Sequence, residues 1–349
     1  MNNRFRILIV LLSVLALTMA VSGMVSGQAE PSGKLAEVIE RGTLNCGVSG
    51  TLPGFSFLDP DTGEMSGFDA DYCRALTAAI FGEVTEENLE FVPLTAAERF
   101  TALQTGQIDV LFRNTTWTLS RDSDLGGNFV VVTFYDGQGL MVPVDLGVGS
   151  IDDLGGARIC TQSGTTTELN ITDAMTSRGL DFELVPLETS ADTFSAFEGG
   201  QCDVLTSDKS QLAALRSSAA DPSLYTILPD TLSKEPLGPM WIEGDAQWGD
   251  VIKWTVFATF YAEELGITSE NIGDMMGSED PGLARFVGEE GGLGSFIGLS
   301  DDFAVNVISA VGNYGELYET HLTPLGIARE GSLNAAFTEG GLIYAPAWR

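Results

Sequence analysis

The phrase QTGQIDVL at 104–111 returns as EGGQCDVL at 198–205. Each copy follows a helical pattern, led in by Phe100, Thr101 and Leu103 in the first and by Phe194 and Phe197 in the second. Each sets a glycine where that helix would end. Each then runs at once into a short apolar strand, Ile108-Asp109-Val110-Leu111 and Cys202-Asp203-Val204-Leu205. Glycine just past a helical pattern is a C-cap signal, because it takes the left-handed conformation without strain. The echo extends upstream: GTLNCGVSG at 42–50 and GARICTQSG at 156–164 both read as a strand ending in a Ser-Gly turn. This repetition restricts the chain to two α/β lobes of related build, with strands alternating with helices. Helical patterns fall near 68–81, 95–105, 166–178, 191–198, 208–217 and 248–265.

Lobes of this kind bind ligands at loops beyond the carboxyl ends of their parallel strands. Both DVL strands lead there into a polar segment, RNTTWTLSRD at 113–122 and TSDKSQ at 206–211. The first is conspicuous against the composition. The chain has 17 Lys+Arg against 49 Asp+Glu, yet Arg113 and Arg121 share this one short stretch. A guanidinium is a planar fork of donors that matches a carboxylate, and the neighbouring hydroxyls and amide can complete a small anion site. Alone, the segment reads as a solvated loop with an ordinary ion pair; its position at the strand end favours the anion site. Arg113 itself reads as a second ligand contact or, no less well, as a surface ion pair. A second segment, SGTTTE at 163–168, precedes a helix. Free N–H groups at a helix start, with threonine hydroxyls, suit an anion; a plain N-cap with Glu168 nearby fits as well.

The first 29 residues have the three-part pattern of an export peptide: Arg4 and Arg6, an apolar run from Ile7 to Ala20, then small residues through Ala29. The run is short for a spanning helix, which needs about 20 apolar residues. About 320 residues remain, enough for two domains. Loss of Arg4 and Arg6 takes the net charge from -32 to -34, a surface that repels phosphate backbones and excludes nucleic acid as a partner. His321 is the only histidine and no CxxC pair occurs, so no metal site is expected. Export permits disulfides. Cys46, Cys73, Cys160 and Cys202 allow three pairings, and their order suggests one bridge in each half; four reduced, buried thiols are the alternative. DPDTGE at 59–64 lacks calcium-loop spacing and reads as a hairpin turn. GGLGSFIG at 291–298 lacks the dinucleotide fingerprint, and a lone histidine builds no Ser-His-Asp order. No cofactor and no catalytic residue are expected. Trp117, Trp241, Trp248 and Trp254 read as packing residues.

GFDADYCRAL (67–76), LQTGQIDVL (103–111), RNTTWTLSRD, QSGTTTE (162–168) and CDVLTSD (202–208) together resemble the extracytoplasmic solute-binding proteins of polar amino-acid ABC importers. VGNYGELYE (311–319) and GGLIYAPAWR (340–349) resemble the general L-amino-acid-binding branch, which carries a longer tail. The likeness is weak at 218–245 and 270–300. It implies a type II periplasmic-binding-protein clamp, each lobe a mixed sheet flanked by helices, that closes on a free L-amino acid and delivers it to an importer permease. Carried across by motif, Arg121 would fork the ligand carboxylate. Thr116 and Asn114 would assist, the backbone at Thr165 and Thr166 would meet the carboxylate from the other lobe, and Asp208 would take the ammonium. One departure shows: Leu52 stands where small members often place an aromatic platform. Lobe one would hold 34–139 with a return through 236–349 that includes a C-terminal helical extension, and lobe two 140–235, with crossings near 138–144 and 233–240. Bridges Cys46–Cys73 and Cys160–Cys202 are expected, since a bridge between lobes would lock the hinge. A monomer outside the cytoplasm is expected. The alternative is an extracytoplasmic dehydratase of a cyclic amino-acid precursor on the same fold, since fold does not settle function.

Overall fold

A computed structural model describes residues 29–349; the expected export segment lies, except for its last residue, outside them. The repeated phrases build one unit twice. Strand Leu44–Val48 lies between Leu89–Pro93 and Val110–Leu111, all parallel. Strand Ala157–Gln162 lies between Phe182–Leu187 and Val204–Asp208, also parallel. The second sheet continues antiparallel through Gln138–Pro143 to Tyr225–Ile227. Gly106 and Gly200 both have φ 73°. After them the Gln107 and Gln201 N–H groups reach back 2.9 Å to the Ala102 and Ala196 carbonyls. The aspartates of the two DVL phrases also match in role. Asp109 accepts the Asn45 N–H at 2.8 Å and Asp203 the Arg158 N–H at 2.9 Å, each tying its strand to the central one.

All six expected helices are present, as Phe68–Phe81, Arg99–Gln104, Thr166–Ser177, Ser190–Glu198, Lys209–Ser218 and Ala246–Glu264. The periodicity reading missed Gly33–Arg41, Leu119–Ser123, Pro281–Phe286, Phe303–Val311 and Tyr314–His321. None of these exceeds 9 residues, and tertiary packing holds helices this short. DPDTGE is the expected hairpin turn, joining Ser56–Leu58 to Met65–Ser66.

The first lobe and the C-terminal third share one core, in which Phe68, Tyr72, Trp248, Phe260, Tyr314 and Trp348 are buried together. Trp348, next to last in the chain, stacks on Tyr261 at 5.7 Å and meets the edge of Trp254 at 5.3 Å. In the second lobe the pleat sorts apolar side chains by alternation. Leu140, Ile159 and Val204 pack with Ile171 on one face; Met141, Cys160 and Leu205 pack with Phe197 on the other. Each lobe carries its own disulfide, Cys46–Cys73 with Cα atoms 6.0 Å apart and Cys160–Cys202 at 5.7 Å, inside the usual range. Between the sheets, Phe134–Asp136 pairs antiparallel with Glu235–Leu237. Among the described residues no helix is long and apolar enough to cross a membrane.

Candidate functional site

The polar loop after Val110–Leu111 is fastened at both ends. Asn114, the one non-glycine residue with positive φ among the described residues (21°), turns its N–H onto the Asp69 carboxylate at 2.8 Å; asparagine tolerates this region better than most residues. Trp117 N–H donates to the Pro236 carbonyl at 2.8 Å and Gly238 N–H to the Thr115 carbonyl at 3.1 Å. These bonds flank a Thr116↔Leu237 antiparallel bridge. A non-hydrogen-bonded pair of this kind points the Thr116 N–H away from its neighbour strand. Thr118 then caps the short helix Leu119–Ser123 by accepting the Arg121 N–H at 3.2 Å. From its first turn the Arg121 guanidinium returns over the loop and donates to the Thr116 carbonyl at 2.8 Å.

Arg121 has two buried companions. Arg99, Arg113 and Arg121 are 2%, 4% and 6% exposed. None has an acidic oxygen within 4.0 Å among the described residues. The surface-ion-pair reading of Arg113 is therefore corrected: its Nε donates to the Leu94 carbonyl at 3.0 Å inside the lobe. Desolvation lowers Arg113 and Arg121 to about 10 each; Asp69 opposes this at Arg113, and Glu235 then Asp208 at Arg121. Arg99 falls well below its ordinary value through desolvation, then through Arg121 and Arg113. Its Nη1 donates to the Thr115 hydroxyl at 3.3 Å, while its Nε finds no acceptor among the described residues. A buried cation without a counter-ion is costly.

The second lobe supplies the opposite charge. Asp208 ends strand Val204–Asp208 and is 6% exposed. Its carboxylate caps no helix and accepts no hydrogen bond from the described residues. Desolvation, then Asp136 and Glu235, pushes it well above the usual carboxylate range, against Arg121 and Arg99. Asp136, which accepts the Gly137 and Ser210 N–H groups at 2.7 and 3.2 Å, is raised by burial to about 6. Thr165 caps helix Thr166–Ser177, and its hydroxyl turns to the Gln162 carbonyl at 2.6 Å. Its hydroxyl is thus committed to the fold, while the N–H groups of the helix's first turn have no partner within the helix.

The lobes meet at these residues. The Thr116 and Thr166 hydroxyl oxygens are 3.5 Å apart, and Asn114 Nδ2 donates to Gln211 Oε1 at 3.3 Å. The structure thus brings Asn114, Thr116 and Arg121 from one lobe toward Thr166 and Asp208 from the other. The sequence reading missed Arg99, Asp136, Gln138, Gln211 and Glu235. Arg99 opens a helix whose pattern gives no hint of a cluster, and Glu235 falls where the family likeness is weak. Among the described residues Asn114 Oδ1 and Gln138 Oε1 are buried acceptors without partners. Leu52, at the departure from the aromatic pattern, is buried in the first-lobe core.

Residues 44–216 match the bacterial extracellular solute-binding proteins, family 3. The general L-amino acid-binding periplasmic protein AapJ of Rhizobium johnstonii is 46% identical over 330 residues, 93% of this chain and 95% of that protein. The glutamate/glutamine/aspartate/asparagine-binding protein BztA of Rhodobacter capsulatus is 44% identical over 95% of this chain and 98% of its own. Among solved structures, an ABC transporter periplasmic binding protein from Brucella ovis with glutathione bound is 44% identical. It superposes with a TM-score of 0.87 over 91% of this chain and 100% of that one. The chain belongs to the bacterial extracellular solute-binding proteins, family 3.

Proposed function

We propose that this family 3 solute-binding protein captures a free L-amino acid outside the cytoplasm and delivers it to the permease of an ABC importer. One observation carries the reading: a buried guanidinium and a buried carboxyl, Arg121 and Asp208, face the junction from different lobes, and neither has a partner of opposite charge in contact among the described residues. An α-amino acid carries both missing charges. Arg121 with the Thr116 N–H and the first-turn N–H groups at Thr166 would hold the carboxylate; Asp208 would hold the ammonium. Asn114 would line the site beside them. Because the groups lie on both lobes, only closure assembles them.

The hinge of this reading is the pair of strands Phe134–Asp136 and Glu235–Leu237, which would carry the chain out of and back into the first lobe. Lobe two then runs between them, close to 140–235, and 236–349 returns to lobe one. Two crossings side by side restrict closure to one arc. Capture without turnover is favoured over a dehydratase because the buried carboxylates have positioning or counter-ion roles. The protein would act as a monomer.

A thermal-shift panel of the common amino acids tests the reading, with two controls for each hit: the same skeleton without its ammonium and without its carboxylate. A ligand at 100 times its Kd should stabilise by about 2.7 kcal/mol. Equal shifts from either control would overturn the two-charge site.

A further inference from the structure

The Glu235 carboxylate gathers donors from both lobes and from the segment just before its own strand. Its Oε2 accepts the Thr116 hydroxyl at 2.6 Å and the Thr166 hydroxyl at 3.0 Å. Its Oε1 accepts Asn170 Nδ2 at 2.9 Å and the Ser233 hydroxyl. Thr116 belongs to the first-lobe loop. Thr166 and Asn170 lie one turn apart on the second-lobe helix, and Glu235 itself starts the second crossing strand. The residue is 1% exposed.

We propose that Glu235 is a positioning residue for amino-acid capture: a latch that binds the two lobes together in the closed state and fixes how Thr116 and Thr166 face the ligand. This rests on the amino-acid reading above. A threonine hydroxyl has one proton, and both threonines give theirs to Glu235. Toward the ligand they therefore offer only lone pairs. A carboxylate there must be met by N–H groups and Arg121, while the two hydroxyl oxygens are free to accept from an ammonium. Opening the lobes draws Thr166 and Asn170 away from Thr116, so Glu235 must release one set of donors. Hydrogen bonds to a carboxylate are stronger than neutral ones, and in the closed state these are sheltered from water.

The test uses the mature chain with Glu235→Gln, Thr166→Val and the double variant. Small-angle scattering without ligand reports opening, and stopped-flow tryptophan fluorescence reports dissociation of L-glutamine. Glu235→Gln should enlarge the ligand-free radius of gyration and speed L-glutamine release at least tenfold, with a smaller change in association rate. Thr166→Val should act in the same direction, and the double variant should be no worse than the worse single, because both remove one network. Tighter binding by Glu235→Gln would overturn the latch and make Glu235 a competitor of the ligand carboxylate. Lower thermal stability with unchanged opening and release would overturn it in favour of plain packing. If wild type binds neither L-glutamine nor any other amino acid, the capture reading fails, while the scattering arm still decides whether Glu235 holds the lobes.

Discussion

Arg99 and Arg121 share one aromatic ring: their guanidinium carbons stand 4.7 and 5.1 Å from the centroid of Phe100. Each cation is desolvated, and Arg121 adds to what burial costs Arg99. A ring quadrupole compensates by roughly 2 kcal/mol at a dry site, less than a buried charge asks. The pair is thus poised for an anion. Among the described residues only one Arg121 nitrogen accounts for a side-chain hydrogen bond, to the Thr116 carbonyl, which leaves the rest of its fork for a ligand.

Arg121→Ala should weaken binding of the best amino acid by at least tenfold, since truncating one side of a desolvated charge pair costs about 2–5 kcal/mol. Arg121→Lys should recover part of this, because a point charge cannot reproduce the fork. Titration calorimetry of both variants measures the effect. Wild-type affinity in Arg121→Ala together with loss in Arg99→Met would move the carboxylate anchor to Arg99.

Arg113→Met should act on stability more than on affinity. The side chain donates to the Leu94 carbonyl and lies near Asp69, which burial raises to about 6. Losing a hydrogen bond to a charged group costs about 1.5–3 kcal/mol. Urea unfolding should show a lower midpoint at unchanged slope. A larger loss of amino-acid affinity than in Arg121→Ala would show that Arg113 touches the ligand.

The repeat made the sheets legible. Gly106 and Gly200, with Asp109 and Asp203 after them, perform the same local bonding in both lobes, and local bonding is what a short phrase encodes. The buried state of Arg113 was not legible, because its exposure depends on how the loop folds back over Leu94 and Asp69, residues remote in sequence. Glu235 was hidden for the same reason. Its partners at 116, 166 and 170 come from segments remote in sequence and converge only in the folded chain. Leu52, at the departure from the aromatic pattern, proved to be a core residue.

Each disulfide should stabilise its own lobe without touching closure. The bridges span sequence separations of 27 and 42 residues, for which loop-closure entropy gives about 3–4 kcal/mol each. Replacing Cys160 and Cys202 together by serine should lower the thermal midpoint while leaving the L-glutamine dissociation rate near wild type. A changed dissociation rate at unchanged midpoint would couple that bridge to the hinge instead.

Amino-acid binding should weaken as pH falls, starting well above the range of an ordinary carboxylate. In the ligand-free protein Asp208 holds its proton to higher pH than an exposed aspartate, chiefly because burial disfavours its charge. An incoming ammonium favours the ionised form, so binding lowers the Asp208 pKa and releases a proton. Affinity therefore rises with pH up to the raised value, by about tenfold per unit, and levels off above it. The sign for stability is opposite. A carboxylate whose folded value is raised binds its proton more tightly in the folded state, so its contribution is present at low pH and lost as pH climbs through the folded value. Asp208→Asn removes that loss. The variant should gain stability relative to wild type as pH increases, while losing amino-acid binding at every pH. Calorimetry in two buffers of different ionisation enthalpy counts the released proton, and thermal unfolding of both proteins from pH 4 to pH 8 follows the relative stability. An affinity flat from pH 4 to pH 8, with no proton released, would remove Asp208 from the ammonium site.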